Sequence, residues 1–167
     1  VSCTSTIFRR PIPDDWHRVV AVMPQWWDGR DLRPLLPKIF FEHFRSTSLV
    51  VEHEERLVAF LVGFLCPDHA DEAYIHFIGV DPLWRGAGVG RDLYRRFCAL
   101  ARADGRTVVR AVTAPVNTGS IAFHTALGFS IVPGDDEVDG IAVHTDRGPH
   151  GDHLVHFQLL LEPEPAP

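Results

Sequence analysis

Apolar and polar positions recur along this chain with two different periods. Val89, Leu93, Phe97 and Leu100 return at helical spacing until Gly105 stops the run, which predicts a helix from Gly88 to Ala103. "EAYIHFIGV" (72–80) has the period of a strand, with Tyr74, His76, Ile78 and Val80 on one face, and it ends at Asp81-Pro82. Ahead of it, "TIFRRPI" reads as a short strand. "PDDWHRVVAVMPQWW" reads as a helix with Pro13 and Asp14 at its start and Pro24 near its end, and "PLLPKIFFEHF" as a second helix. "SLVVEHE" and "RLVAFLVGFLC" form a strand pair across a short charged turn. Beyond the long helix, "TVVRAVT" is a strand, "TGSIAFHTAL" a short helix, "FSIV" a strand and "HLVHFQLLLE" the last strand. No repeat or linker divides this order. It predicts a single mixed α/β domain over residues 1–161, followed by a disordered tail at 162–167.

Composition narrows the class. At 167 residues, 46% hydrophobic and 23% charged, the chain has the make-up of one globular domain. No apolar stretch is long enough to span a bilayer, and the opening "VSCTSTIFRR" lacks the apolar region of a signal peptide, so no membrane partner and a cytoplasmic location are expected. A net charge of −6 argues against attachment to nucleic acid. Cys3, Cys66 and Cys98 are scattered without C-x-x-C spacing, which speaks against a zinc site or a disulfide framework.

Candidate chemistry starts at the junction of the predicted strand and the long helix. There "RGAGVGR" places glycines at 86, 88 and 90. Glycines let a backbone approach a ligand closely, and a helix start adds unpaired N–H groups and a positive dipole end, so the junction is built for an anion such as phosphate. A P-loop needs Lys and Ser or Thr after its last glycine, where Arg91-Asp92 stands, and the dinucleotide fingerprint has a different spacing. Arg85, Arg91, Arg95 and Arg96 concentrate positive charge here, although a solvated helix face would account for Arg95 and Arg96.

"HFIGVDPLWRGAGVGRDL" fits an R/Q-x-x-G-x-G/A motif through Arg85, Gly88 and Gly90, and "NTGSIAFHTALGF" follows it, ending in Leu-Gly-Phe. In both segments the chain resembles the GNAT superfamily of acyl-CoA-dependent N-acetyltransferases. The resemblance implies a GNAT-like mixed, mostly antiparallel sheet of six to seven strands flanked by about four helices. Its two central strands, "YIHFIGV" and "TVVRAVT", would be splayed around the CoA pantetheine. It implies acetyl-CoA as cosubstrate, no metal, and a small-molecule (or peptide) amine as acceptor, with a homodimer left open. The pyrophosphate would rest on the backbone of Arg85, Gly86, Ala87, Gly88, Val89 and Gly90, supplemented by the Arg85 and Arg91 side chains. Ile78 and Val80 would offer backbone groups to the pantetheine and acyl carbonyl. Asn117, Ser120 and His124, spaced to share one helix face, would follow the CoA.

The chemistry implied is acetyl transfer to a primary amine by direct attack in a ternary complex, which needs a base for the amine and an acid for the leaving sulfur. His76 is the candidate base, with Glu72 in reserve; a histidine bonded within the sheet is the competing reading. The family often has a Tyr four residues before the glycine of Leu-Gly-Phe. Here that residue is His124, to be read as a CoA contact or as the acid. Gly79 suits either a bulge or close packing. Asp135, Asp136, Glu137 and Asp139 would attract a cationic amine or form a solvated loop, and Trp26 and Trp27 would line an acceptor pocket or the core. His144, His150, His153 and His156 suggest a metal, but on a strand His153 and His156 face opposite ways. A non-catalytic acyl-CoA-binding module is the alternative, and a mononucleotide binder is a third reading.

Overall fold

The computed structural model describes residues 6–148 and 150–162, so Cys3 and the "PEPAP" tail lie outside the described residues. The chain runs β1 (Ile7–Arg9), α1 (Asp15–Trp26), a 3-10 turn (Arg33–Leu35), α2 (Ile39–His43), β2 (Leu49–His53), β3 (Arg56–Leu65) and β4 (Glu72–Val80). A 3-10 turn (Pro82–Trp84), α3 (Val89–Ala103), β5 (Val108–Thr113), α4 (Thr118–Ala126), β6 (Ser130–Ile131), β7 (Asp136–Val138), β8 (Ile141–Val143) and β9 (Val155–Leu160) complete it. The strand order is β1-β2-β3-β4-β5-β9-β6 in a seven-stranded sheet, with β7-β8 as a separate pair. This is the mixed, mostly antiparallel α/β fold expected. The chain divides into two compact units, one up to Phe64 with Ile75–Leu100, the other Leu65–Tyr74 with the residues from Ala101 onward.

In the first unit, β1 and β2 pair antiparallel with Arg9 opposite Val50, and β2 turns back on β3 with His53 opposite Arg56. Val19, Met23 and Trp26 of α1 recur at helical spacing and pack with Leu36, Phe41, Val50, Phe60 and Val62 into a core. A buried carboxylate anchors the start of α1. Asp15, 1% exposed, accepts from the Ile12 N–H at 2.8 Å and from Arg9 at 2.7 Å, while Arg9 and Arg18 also hold Glu52. Burial alone would raise the Asp15 carboxyl, but the bonds from Arg9 and Ile12 outweigh it and leave it below the ordinary range. On α3 the predicted apolar face is in place, with Val89, Leu93 and Phe97 all buried.

In the second unit, β9 is central. It pairs antiparallel with β5 from Val108–Leu160 to Thr113–Val155, and on its other edge with β6 through Ile131–Phe157. Two predicted elements differ in detail. "PLLPKIFFEHF" is not one helix: Pro37, which lacks an amide hydrogen and constrains Leu36 before it, separates the 3-10 turn from the short α2. "GDDEVDG" is not a loop: it enters the β7–β8 hairpin, which turns through Asp139 (φ 52°) and Gly140 (φ 79°).

Candidate active site

The glycine turn takes the form its spacing predicts. The Asp81 carboxylate, 4% exposed, accepts from the Leu83 N–H at 2.9 Å and pairs with Arg56, which fixes the exit from β4. Gly86 and Gly88 then adopt left-handed conformations (φ 81° and 88°), whereas Gly90 lies inside α3. A Cβ on Gly86 or Gly88 would meet nothing within 4 Å, so these glycines serve the backbone conformation and leave open space beside it. The first helical bond here runs from the Asp92 N–H to the Gly88 carbonyl at 3.0 Å. The amides of Val89, Gly90 and Arg91 therefore precede the helical ladder, at the positive end of the helix. This cradle fits an anionic phosphate group.

The four arginines around the turn separate into different roles. Arg85 donates to the backbone carbonyls of Val80 (3.2 Å) and Trp26 (2.5 Å), so its guanidinium braces the turn against the end of α1. Arg95 pairs with Asp92 at 3.1 Å, and the guanidinium of Arg96 sits 4.3 Å from the ring centre of Phe8. Arg91 is exposed in the first turn of α3, where the helix dipole disfavours a cation, and it makes no ion pair among the described residues.

On β4, Ile78 and Val80 are half-buried, and His76 is held firmly. The His76 Nε2 lies 2.7 Å from the Leu35 carbonyl, and the ring stacks on Phe40 with centroids 4.3 Å apart and planes 20° apart. Burial pushes the imidazole below its ordinary pKa and the Leu35 bond opposes that shift, so the neutral form is favoured. Phe77 meets Phe60 and Trp27, and both Phe40 and Phe77 pack on the core cluster of α1. Two consecutive β4 side chains thus turn toward one core, which interrupts the strict alternation predicted for this strand. Trp26 is buried in the core, and Trp27 packs edge-on against Phe77 with centroids 5.3 Å apart. A cleft of about 620 Å³ between α1 and the β2–β3 turn has Arg18, Gln25, Trp26, Glu55, Arg56 and Leu83 in its walls, so Trp26 borders both this cleft and the core, whereas Trp27, His76 and the residues of the glycine turn do not line it.

The second unit holds the other predicted residues. Asn117 is the N-cap of α4: its side-chain oxygen accepts from the Ser120 N–H at 3.3 Å. The Ser120 hydroxyl lies 3.3 Å from the His124 Nδ1, which is also 2.8 Å from the Ser120 carbonyl. His124 itself is buried. It is 3% exposed, its ring lies on Phe157 with planes 3° apart, and burial lowers its pKa. The Glu72 carboxylate accepts from Arg110 at 2.8 and 2.9 Å, which occupies the reserve base in an ion pair. Among the described residues no group of three or more His, Cys, Asp or Glu is arranged to hold a metal. Sequence reasoning missed a contact between His144 and His156, whose ring centroids lie 4.1 Å apart and whose Nε2 atoms are both buried without a hydrogen-bond partner.

An anion cradle between a strand and a helix, on a sheet of this order, defines a class of phosphate-holding α/β proteins. The chain belongs to the acetyltransferase (GNAT) family, whose pattern it matches over residues 11–129. The L-2,4-diaminobutyric acid acetyltransferase of Halalkalibacterium halodurans is 33% identical over 86 residues, covering 52% of this chain and 46% of that protein. Its counterpart in Nocardia farcinica is 31% identical over 84 residues, covering 50% and 44%. The chain spans about half the length of the curated relatives it matches. Among solved structures, diaminobutyrate acetyltransferase EctA from Paenibacillus lautus, in complex with L-2,4-diaminobutyric acid and coenzyme A, shares the fold. Its TM-score is 0.71 at 17% identity, over 98% of this chain and 99% of that one. Ard1 from Thermoplasma volcanium gives 0.74 at 20% identity, over 94% and 98%.

Proposed function

We propose that the chain is an N-acetyltransferase that transfers the acetyl group of acetyl-CoA to a primary amine of a small molecule, with L-2,4-diaminobutyric acid as the first acceptor to test. One observation carries this reading: in a GNAT family member, two open left-handed glycines lead into a helix whose first turn holds an arginine with no ion pair among the described residues. The backbone amides of Val89, Gly90 and Arg91 hold the phosphates beside the open Gly86 and Gly88, the Ala87 N–H being given to the Trp84 carbonyl at 3.3 Å, and Arg91 supplies countercharge. Acetyl-CoA, when bound, supplies a thioester carbonyl as electrophile and a thiol as leaving group. An alkylammonium acceptor with a pKa of about 10.4 must first lose a proton, at a cost of about 4.6 kcal/mol at pH 7. His76, neutral on β4, takes that proton directly or through water, the freed nitrogen attacks the thioester carbonyl, and the C–S bond breaks as the second proton shed by the nitrogen passes through solvent to the departing sulfur.

The reading is tested by thiol release from acetyl-CoA across an amine panel that includes L-2,4-diaminobutyric acid. His76→Gln should lower kcat by roughly two to four orders of magnitude while CoA affinity stays near wild type. The interior placement of His124, at the position where the family often has its Tyr acid, favours a second reading as a non-catalytic acyl-CoA-binding module. Tight CoA binding without thiol release from any amine would select it. Competition between CoA and ATP separates both from a mononucleotide binder.

A further inference from the structure

A neutral imidazole carries one N–H, and which nitrogen bears it decides which can act as a base. The Leu35 carbonyl has no proton to give, so at 2.7 Å the His76 Nε2 must be the donor and Nδ1 keeps the lone pair. That carbonyl is itself anchored. Leu36 is fully buried, its carbonyl accepts from the Trp16 indole N–H at 2.9 Å, and the Leu35 and Leu36 amides close the 3-10 turn onto Leu32 and Arg33 at 3.0 Å. The ring plane is set separately by Phe40, which is itself packed against Phe44 and Phe64.

We propose that residues 33–40 frame the His76 imidazole in a single tautomer, with Nε2–H given to the Leu35 carbonyl and Nδ1 as the nitrogen that receives the amine proton. In this frame Trp16 and Phe40 are positioning residues. The proposal rests on His76 being the base of the proposed reaction. Proton transfer leaves an imidazolium whose Nε2–H bond to Leu35 becomes charge-assisted, so the frame strengthens as the ring takes its charge, and the proton then passes to solvent. Among the described residues, the charges carried by the framing elements are paired with one another, Arg33 of the 3-10 turn with Asp31 at 2.7 Å. α2 with its C-cap and β3 present Phe40, Phe44 and Phe64, and half-buried Lys38, the N-cap of α2, lies 3.9 Å from exposed Glu42.

Nitrogen-15 NMR of histidine-labelled protein, with His76→Gln identifying the signals, reads the tautomer without any need for turnover. The expected result is one neutral tautomer, protonated at Nε2. Trp16→Phe keeps a ring but removes the donor that holds Leu36, and Phe40→Leu removes the stacking face. Each should mix the tautomers, move the acidic limb of kcat/KM toward the ordinary imidazole pKa and lower kcat about threefold to tenfold, with the KM for acetyl-CoA unchanged. Phe40→Tyr should restore wild-type behaviour. Protonation at Nδ1 in the wild type overturns the proposal. So does an unchanged tautomer and pH profile in both Trp16→Phe and Phe40→Leu. A single Nε2–H tautomer in a protein that acetylates no amine would support the frame and remove the acetyltransferase reading. Mixed tautomers in an active wild-type enzyme would do the reverse.

Discussion

Trp27 fills the space that a side chain at Gly79 would need: its Cη2 lies 2.6 Å from the Cβ position, and Phe60 Cε1 lies 2.5 Å from it. Gly79 is therefore required by close packing against two rings. Gly79→Ala should destabilise the protein by about 1–3 kcal/mol, the usual cost of overpacking. Urea denaturation checks this, and Trp27→Leu in the Gly79→Ala background should recover part of the loss. An alanine variant as stable as wild type would show that the rings yield freely.

At Gly88 the demand is conformational. With φ at 88° and open space around it, a β-branched residue has room but not the backbone it prefers. The left-handed conformation costs such a residue about 1–2 kcal/mol, and the added methyls stand where phosphates approach. Gly88→Val should remain folded by circular dichroism and lose CoA affinity by roughly tenfold or more in calorimetry. Undiminished affinity would place the anion site elsewhere.

Ionic strength distinguishes the arginines. Exposed charges are screened over about 10 Å at 0.1 M salt, so CoA binding should weaken as salt is added. Arg91→Ala should flatten that dependence. Arg95→Ala and Arg96→Ala should leave it as steep as in wild type, because those side chains are taken up by Asp92 and Phe8. Arg85→Ala should lower stability through the lost braces to Val80 and Trp26 without altering the salt slope. An equally steep slope in Arg91→Ala would remove Arg91 from the phosphate site.

Acid should destabilise the protein at pH values above those at which its carboxylates titrate. Burial lowers the pKa of His76, His124 and His156, and His156 is pushed down further by His144, Arg147 and Arg110. Below about pH 6.5 the unfolded chain binds protons that the folded chain refuses. The stability present above that pH is therefore lost as the pH falls, at up to about 1.4 kcal/mol per pH unit for a histidine such as buried His124. Denaturation curves at pH 7.5, 6.5 and 5.5 measure the slope, and His156→Leu should reduce it. Stability constant across that range would contradict the placement of these rings.

The long helix and the glycine turn were legible because both are written in local spacing. A repeat of Val89, Leu93 and Phe97 has one buried face wherever it packs, and glycines two apart carry their backbone freedom with them. The β7–β8 hairpin was not read, because the charges of Asp135, Asp136, Glu137 and Asp139 pointed to a loop while its turn rests on the short Asp139-Gly140 pair. The arginine roles were not legible, because their partners are distant: Arg85 reaches Trp26 and Arg96 reaches Phe8. His124 illustrates the same limit. Spacing placed it on one helix face with Asn117 and Ser120, but only the presence of Phe157 beneath α4 shows that its ring is interior.

The Asp15 anchor constrains how this sequence can drift. Replacing Arg9 alone would leave a carboxylate that is 1% exposed short of a cation, and replacing Asp15 alone would leave Arg9 and Arg18 sharing Glu52. Breaking a fully buried pair on one side commonly costs about 3–5 kcal/mol. The cost here is smaller because Arg9 and Arg18 are 29% and 36% exposed and Asp15 keeps its second arginine, whereas exchanging a whole charged group for apolar residues of similar volume can be neutral. The four positions should therefore be tolerant of change together and intolerant one at a time, which ties the fate of a three-residue edge strand to the first turn of a helix and to β2.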